Sequence, residues 1–161
     1  MKNHALYDTP YGTMAVIYED NVIRALLMPL ADTLDYKVGR LPGARKVTEL
    51  TEQVNREIQE YFRGERKEFT FPIEAEGTEF QRKVWKALRD IPYGETRSYK
   101  DIAVAIDNPK ACRAVGMANN KNPHIIVVPC HRVIGANGTL VGYANGLEMK
   151  EKLLEMEKNS K

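Results

Sequence analysis

The sequence predicts an α/β protein of two lobes, the first rich in β-strand and the second helical. Three observations carry that expectation. Between residues 13 and 28 apolar side chains alternate around an Asp20-Asn21 turn. From Val47 to Phe62 they recur every three or four residues. Beyond Thr78 the helical spacing returns, broken by short turns of Pro, Gly and Asn.

In chain order, residues 13–19 place Met14, Val16 and Tyr18 on one face of a strand, and residues 22–28 return as its hairpin partner. Val47, Leu50, Val54, Ile58 and Phe62 then form the apolar stripe of a helix, with Gly64 placed to end it. Phe69-Thr70-Phe71 is strand-like but breaks at Pro72, so the lobes are divided as 1–72 and 73–161. In the second lobe, Thr78-Glu79-Phe80-Gln81 has the form of a capping box ahead of Phe80, Val84, Trp85 and Leu88. An aromatic on such a stripe belongs to the core, and Trp85 is assigned there. Ser98 and Asp101 open a helix holding Ile102, Ala103 and Ile106. Asn108 and Pro109 suit the cap and first position of another, over 109–120. Two short helices across a tight turn, about 98–120, resemble a helix-turn-helix.

Composition narrows the function. The chain has 161 residues, 43% of them apolar, enough for a folded core. Its longest apolar runs, about six residues, fall far short of the ~20 needed to cross a bilayer. The N-terminus lacks the apolar stretch of a secretory signal, so a cytoplasmic protein is expected. Two cysteines exclude a disulfide framework and an all-cysteine zinc site, and His4, His124 and His131 are scattered, so no metal is expected. The net charge of +2 is unevenly spread. Residues 82–132 carry ten Lys/Arg against four Asp/Glu, which leaves the rest of the chain at −4. Such a basic excess suits a phosphate-facing surface, although a solvated face explains most charge clusters.

The chemistry concentrates at residues 125–134. An apolar, β-branched run leads through Pro129 to Cys130, His131 and Arg132. Proline biases Val128 to an extended conformation and ends strand pairing, which places the thiol at a turn. A thiol needs a base or cation beside it to act as a nucleophile at neutral pH, and His131 is the histidine at hand. Neighbours in a strand point to opposite sides, so the turn must bring His131 round, or a water must connect them. A buried structural cysteine is the competing reading of a bare Cys-His pair.

The surrounding motifs decide between them. Ile91-Pro92-Tyr93-Gly94-Glu95-Thr96, Ser98-Tyr99, Asn108-Pro109-Lys110, Arg113-Ala114-Val115-Gly116, Asn122-Pro123, Pro129-Cys130-His131-Arg132-Val133, Gly142-Tyr143-Ala144 and Gly146-Leu147-Glu148 occur in that order. From about Phe80 to Glu157 the sequence strongly resembles the methylated-DNA–protein-cysteine methyltransferases, which repair O6-alkylguanine. The N-terminal lobe resembles them loosely, through Tyr11-Gly12-Thr13, and the resemblance implies a ribonuclease-H-like fold there.

The resemblance also implies roles. Cys130 would be both nucleophile and acceptor, in one irreversible turnover without a cofactor, for guanine O6 and as a further candidate thymine O4. His131 would take the thiol proton through a bridging water, and Glu157 would orient His131. On this basis the thiol pKa is expected below the free value of about 8.5. The Tyr143 hydroxyl would donate to the leaving base and the Ala144 N–H would face O6. The carbonyls of Cys130 and Val133 would accept from the exocyclic amine, and Asn122 would tie the recognition helix to the active-site turn. Arg113 would fill the space of a flipped-out nucleotide and Tyr99 would turn the adjoining phosphate. Ala114 and Gly116 would permit close approach to the minor groove. The implied partner is double-stranded DNA with alkylated guanine, bound by a monomer that would be cytoplasmic or associated with the nucleoid.

Some positions depart from the family pattern. Asn119 stands where some relatives have a methionine, and Asn145 where glycine or a large aromatic is familiar. Cys112 is read as a packing residue. Two rival readings remain: a protein that binds alkylated DNA without repairing it, which the presence of Cys130 opposes, and a helix-turn-helix regulator. Ala114 and Gly116 oppose the latter because they leave little side chain to read bases.

Overall fold

The alternation in residues 13–28 becomes part of a three-stranded antiparallel sheet in the computed structural model, which describes residues 1–28, 41–135, 138 and 147–161. The chain divides into two compact units, Met1–Glu76 and Gly77–Lys161.

In the first unit, β1 (Asn3–Thr9), β2 (Gly12–Glu19) and β3 (Val22–Leu27) lie in sequence order. Asp20 takes a positive φ of 55° at the β2–β3 turn, where Asp is among the residues that tolerate it. The alternation predicts one buried face for β2, yet all of Met14–Tyr18 is buried. Since consecutive residues of a strand point to opposite faces, β2 is covered on both. Helix α1 (Glu49–Phe62) starts at a Thr48–Thr51 capping box. Its buried stripe is Thr51, Val54, Ile58 and Tyr61, while Val47, before the cap, is 54% exposed.

Phe69-Thr70-Phe71 forms no strand. The Thr70 N–H and hydroxyl instead donate to the buried Glu57 carboxylate, at 2.8 and 2.6 Å. Just beyond, Ile23 N–H donates to Pro72 O and Glu74 N–H to Ile23 O, which ties residues 72–74 to β3.

In the second unit α2 (Glu79–Arg89) begins at the Thr78–Gln81 capping box and buries Val84, Trp85 and Leu88. Trp85 is core, and its Nε1–H donates to Ala118 O at 2.9 Å. A two-residue strand β4 (Arg97–Ser98) pairs in parallel with β5 (Val133–Ile134), which brings the start of α3 (Tyr99–Ala105) to the active-site segment. Ser98 and Asp101 form the capping box of α3, and Ile106 is its cap rather than part of it.

The next helix, α4 (Cys112–Asn120), begins three residues later than Pro109 suggests. Ala111 N–H bonds to Asn108 O at 3.0 Å, so Asn108 closes a turn instead of capping a helix, and Ala111 is the N-cap. The last helix, α5 (Leu147–Asn159), buries Met149, Lys150, Leu153 and Glu157. Among the described residues no helix is long and apolar enough to cross a membrane.

Candidate active site

The apolar run before Cys130 is buried but turned rather than extended. Ile126 has φ 72°, and Val127 N–H bonds to Ile125 O at 2.8 Å across it. A β-branched residue in that region is strained, at a cost of order 1–3 kcal/mol, and such strain clusters at functional sites. Cys130 N–H then reaches back to Val128 O at 2.8 Å, and residues Cys130–Arg132 form one 3₁₀ turn. At three residues per turn, successive side chains diverge by about 120°. The turn therefore removes the strand geometry that would set Cys130 and His131 on opposite sides.

His131 and Arg132 both reach one carboxylate from α5. His131 Nε2 lies 2.6 Å from Glu157 Oε2. Arg132 donates twice, Nε to Oε1 at 2.8 Å and Nη2 to Oε2 at 3.0 Å. Gly94 N–H adds a longer bond to Oε1 at 3.4 Å. His131, Arg132 and Glu157 are all buried. Burial alone would raise the Glu157 pKa, but the hydrogen bond from His131 and then the bonds and charge of Arg132 outweigh it, holding the carboxyl well below its usual range. An ionised carboxylate only accepts, so His131 carries its proton on Nε2. Burial pulls the His131 pKa down against the opposing pull of Glu157, and the ring is neutral at pH 7.

The thiol departs from the sequence expectation. Burial pushes the Cys130 pKa up; a hydrogen bond from the Asn122 side chain and the charge of Lys150 act the other way but are smaller. The sequence shows the neighbouring base but not the loss of water around a buried sulfur. Lys150 is itself fully buried, its pKa is pulled down by burial to about 8, and its Nζ donates to the Val133 carbonyl.

The site's other members come from the end of α4. The Asn122 amide donates to Val128 O at 2.7 Å and accepts from His124 N–H at 2.9 Å, so it joins the segment after the helix to the active-site turn. Asn119 is buried, with Nδ2 3.5 Å from Cys130 O. Arg113 and Ala114 are exposed on α4, beside Met117 at 65% exposure. Tyr99 packs by Gly116, where an added Cβ would meet its ring at an ordinary 3.7 Å. Packing within the unit therefore does not require that glycine. Cys112 is half-buried, as a small packing residue would be. Tyr143, Ala144 and Asn145 lie outside the described residues.

Two residues escaped the sequence reading. Arg132 was visible only as a letter in a motif, because its partner lies 25 positions away. Lys150 shares with Leu153 and Glu157 the three- and four-residue spacing of one helical face, which was the available signal.

Comparison with known proteins identifies the family. Residues 79–159 match the 6-O-methylguanine DNA methyltransferase DNA-binding domain, and residues 3–75 the ribonuclease-like domain of the same proteins. A methylated-DNA–protein-cysteine methyltransferase of Methanosarcina acetivorans is 60% identical over 150 residues, 88% of this chain and 96% of that one. The constitutive enzyme of that name from Bacillus subtilis is 45% identical over 161 residues, 99% of this chain and 98% of its own. The crystal structure of Mycobacterium tuberculosis O6-methylguanine methyltransferase superposes with a TM-score of 0.89 at 42% identity, covering 100% of this chain and 95% of that one. The same organism's protein in complex with DNA gives 0.87 at 41% identity, covering 98% and 94%. With both halves matched in order and relatives aligned over nearly their whole length, the chain belongs to the methylated-DNA–protein-cysteine methyltransferase family.

Proposed function

We propose that this protein repairs DNA by transferring a methyl group from guanine O6 to Sγ of Cys130, once per molecule. The observation that carries the reading is the turn at Cys130–Arg132, which joins a buried thiol to an imidazole fixed on a buried carboxylate. His131 takes the thiol proton through a bridging water, and the thiolate sulfur attacks the methyl carbon. As the S–C bond forms the C–O bond breaks, and its electron pair passes to the guanine ring. The base leaves as an anion that then gains a proton. The thioether so formed is not cleaved by water or a general base at neutral pH, so each molecule acts once.

The raised thiol pKa fits this order of events. A thiol kept protonated in the free protein is shielded from stray electrophiles, and proton removal is coupled to the substrate's arrival. In this reading Glu157 orients His131, and Asn122 holds the turn. The carbonyls of Cys130 and Val133 take the exocyclic amine of guanine, while Tyr143 and Ala144 serve the ring and O6. Thymine O4 is a secondary target of the same chemistry.

DNA is the partner, as in the solved complex of the mycobacterial relative. The exposed face of α4 carries Arg113 and Ala114, with Gly116 at its edge, and it enters the minor groove as a monomer. Tyr99 turns the phosphate next to the flipped nucleotide, and Arg113 fills the gap. Transfer of labelled methyl groups from duplex O6-methylguanine tests the assignment. Cys112→Ser accepts one equivalent and Cys130→Ser none; labelling of Cys130→Ser to the level of the parent contradicts it.

A further inference from the structure

Beyond this reading, on which it rests, the structure points to an active role for a residue that the mechanism leaves out. We propose that Arg132 is a positioning residue that sets the protonation of the His131–Glu157 pair. It anchors the carboxylate as an anion while weakening that anion's hold on a second proton at His131, so the imidazole is kept as a base.

The geometry supports this in two ways. First, Arg132 is immobilised. Its Nη1 donates to Ile91 O at 2.8 Å, Nε and Nη2 grip Glu157, and its Cζ lies 5.5 Å from the Tyr93 ring centroid. Second, Glu157 Oε2 is shared: it accepts from both His131 Nε2 and Arg132 Nη2. Electron density drawn toward the guanidinium is no longer available to stabilise an imidazolium.

Charge balance leads to the same result. A buried carboxylate facing a histidine alone would reach neutrality by protonating the ring, which would remove the base. With Arg132 present, the Arg–Glu pair is already neutral, and protonating His131 would leave a net positive charge out of water. Among the described residues, the groups that act on His131 are Glu157 and Lys150 from α5 and Arg132 from the turn, and the phenol of Tyr93 faces Glu157 and Arg132. Lys150 adds a second cation that disfavours imidazolium. The downward direction of the His131 pKa agrees.

The test reads the imidazole directly and needs no DNA. The chain has three histidines, so ¹⁵N-labelled ring signals can be assigned and titrated. In the parent, His131 is the neutral Nε2–H form down to a pH below the usual midpoint of about 6.5. In Arg132→Gln the midpoint rises by about one unit, a tenfold gain in proton affinity. Methyl transfer by that variant is then slow near pH 6 and recovers near pH 8, with DNA affinity unchanged. Arg132→Lys keeps the charge but loses the two-point grip and shows a smaller rise.

A His131 midpoint unmoved in Arg132→Gln overturns the proposal, as does a rate loss equal at every pH, the mark of a packing role. If Arg132→Gln does not fold, Arg132→Lys decides by the same two readouts. A parent protein that transfers no methyl group refutes the proposed function instead and leaves the titration result standing.

Discussion

Replacing Glu157 by Gln tests whether the buried network is a charge pair and not merely a set of neighbours. Gln keeps the size of the side chain and removes its charge, leaving the Arg132 guanidinium buried without an anion. Breaking a buried pair from one side costs about 3–5 kcal/mol, against a total stability of about 5–15 kcal/mol for a domain. Trp85, the single tryptophan, lies in the same unit, so its emission during urea unfolding reports on that unit. The expected loss at pH 7 is therefore about 3 kcal/mol or more. The double variant Arg132→Met/Glu157→Gln regains most of it, because both charges are gone.

The pH dependence fixes the sign. The folded Glu157 pKa lies below its unfolded value of 4.5, so its stabilisation is complete above pH 4.5 and fades as pH falls further. The gap between parent and Glu157→Gln therefore closes in acid. A loss under about 1 kcal/mol at pH 7, with a gap independent of pH, would refute the reasoning and place Arg132 in contact with water.

Two further outcomes follow from the site. Arg113→Ala slows repair of duplex O6-methylguanine at saturating protein but leaves reaction with the free alkylated base nearly unchanged. An arginine that offsets 1.4 kcal/mol of the flipping cost changes the flipped population about tenfold; normal duplex rates would make Arg113 a plain phosphate contact. Lys150 has a folded pKa of about 8 against 10.5 unfolded, so its buried charge destabilises the protein below pH 8 and is relieved as pH rises from 8 to 10.5. That difference corresponds to about 3 kcal/mol. The stability gap between parent and Lys150→Met should shift in the parent's favour by up to this amount across that window, and a gap constant in urea midpoints from pH 8 to 10.5 contradicts the burial.

How much of this was legible in the sequence depended on the range of each interaction. The capping box at Thr78–Gln81 needs four consecutive residues and is legible, and Ser98 and Asp101 are legible as a helix start, although their reciprocal bonds are seen only in the structure. The start of the helix expected at Pro109 is not legible, because Asn108 spends its carbonyl on a turn that local preference alone does not reveal. The Cys130-His131 pair was legible as chemistry, but its geometry depended on a 3₁₀ turn held by tertiary packing. Glu157, 26 positions from His131, is legible only through the family resemblance, and its pairing with Arg132 is not legible at all. The direction of the thiol's pKa failed for the same reason, since burial is a property of the whole fold.

The most direct measurement is intact-mass and peptide analysis after mixing the protein with duplex DNA containing O6-methylguanine. The account predicts one methyl group per molecule, on the peptide bearing Cys130, with no further conversion when substrate is in excess. Methyl found on Cys112 alone, or demethylation of more guanines than there are protein molecules, would contradict it.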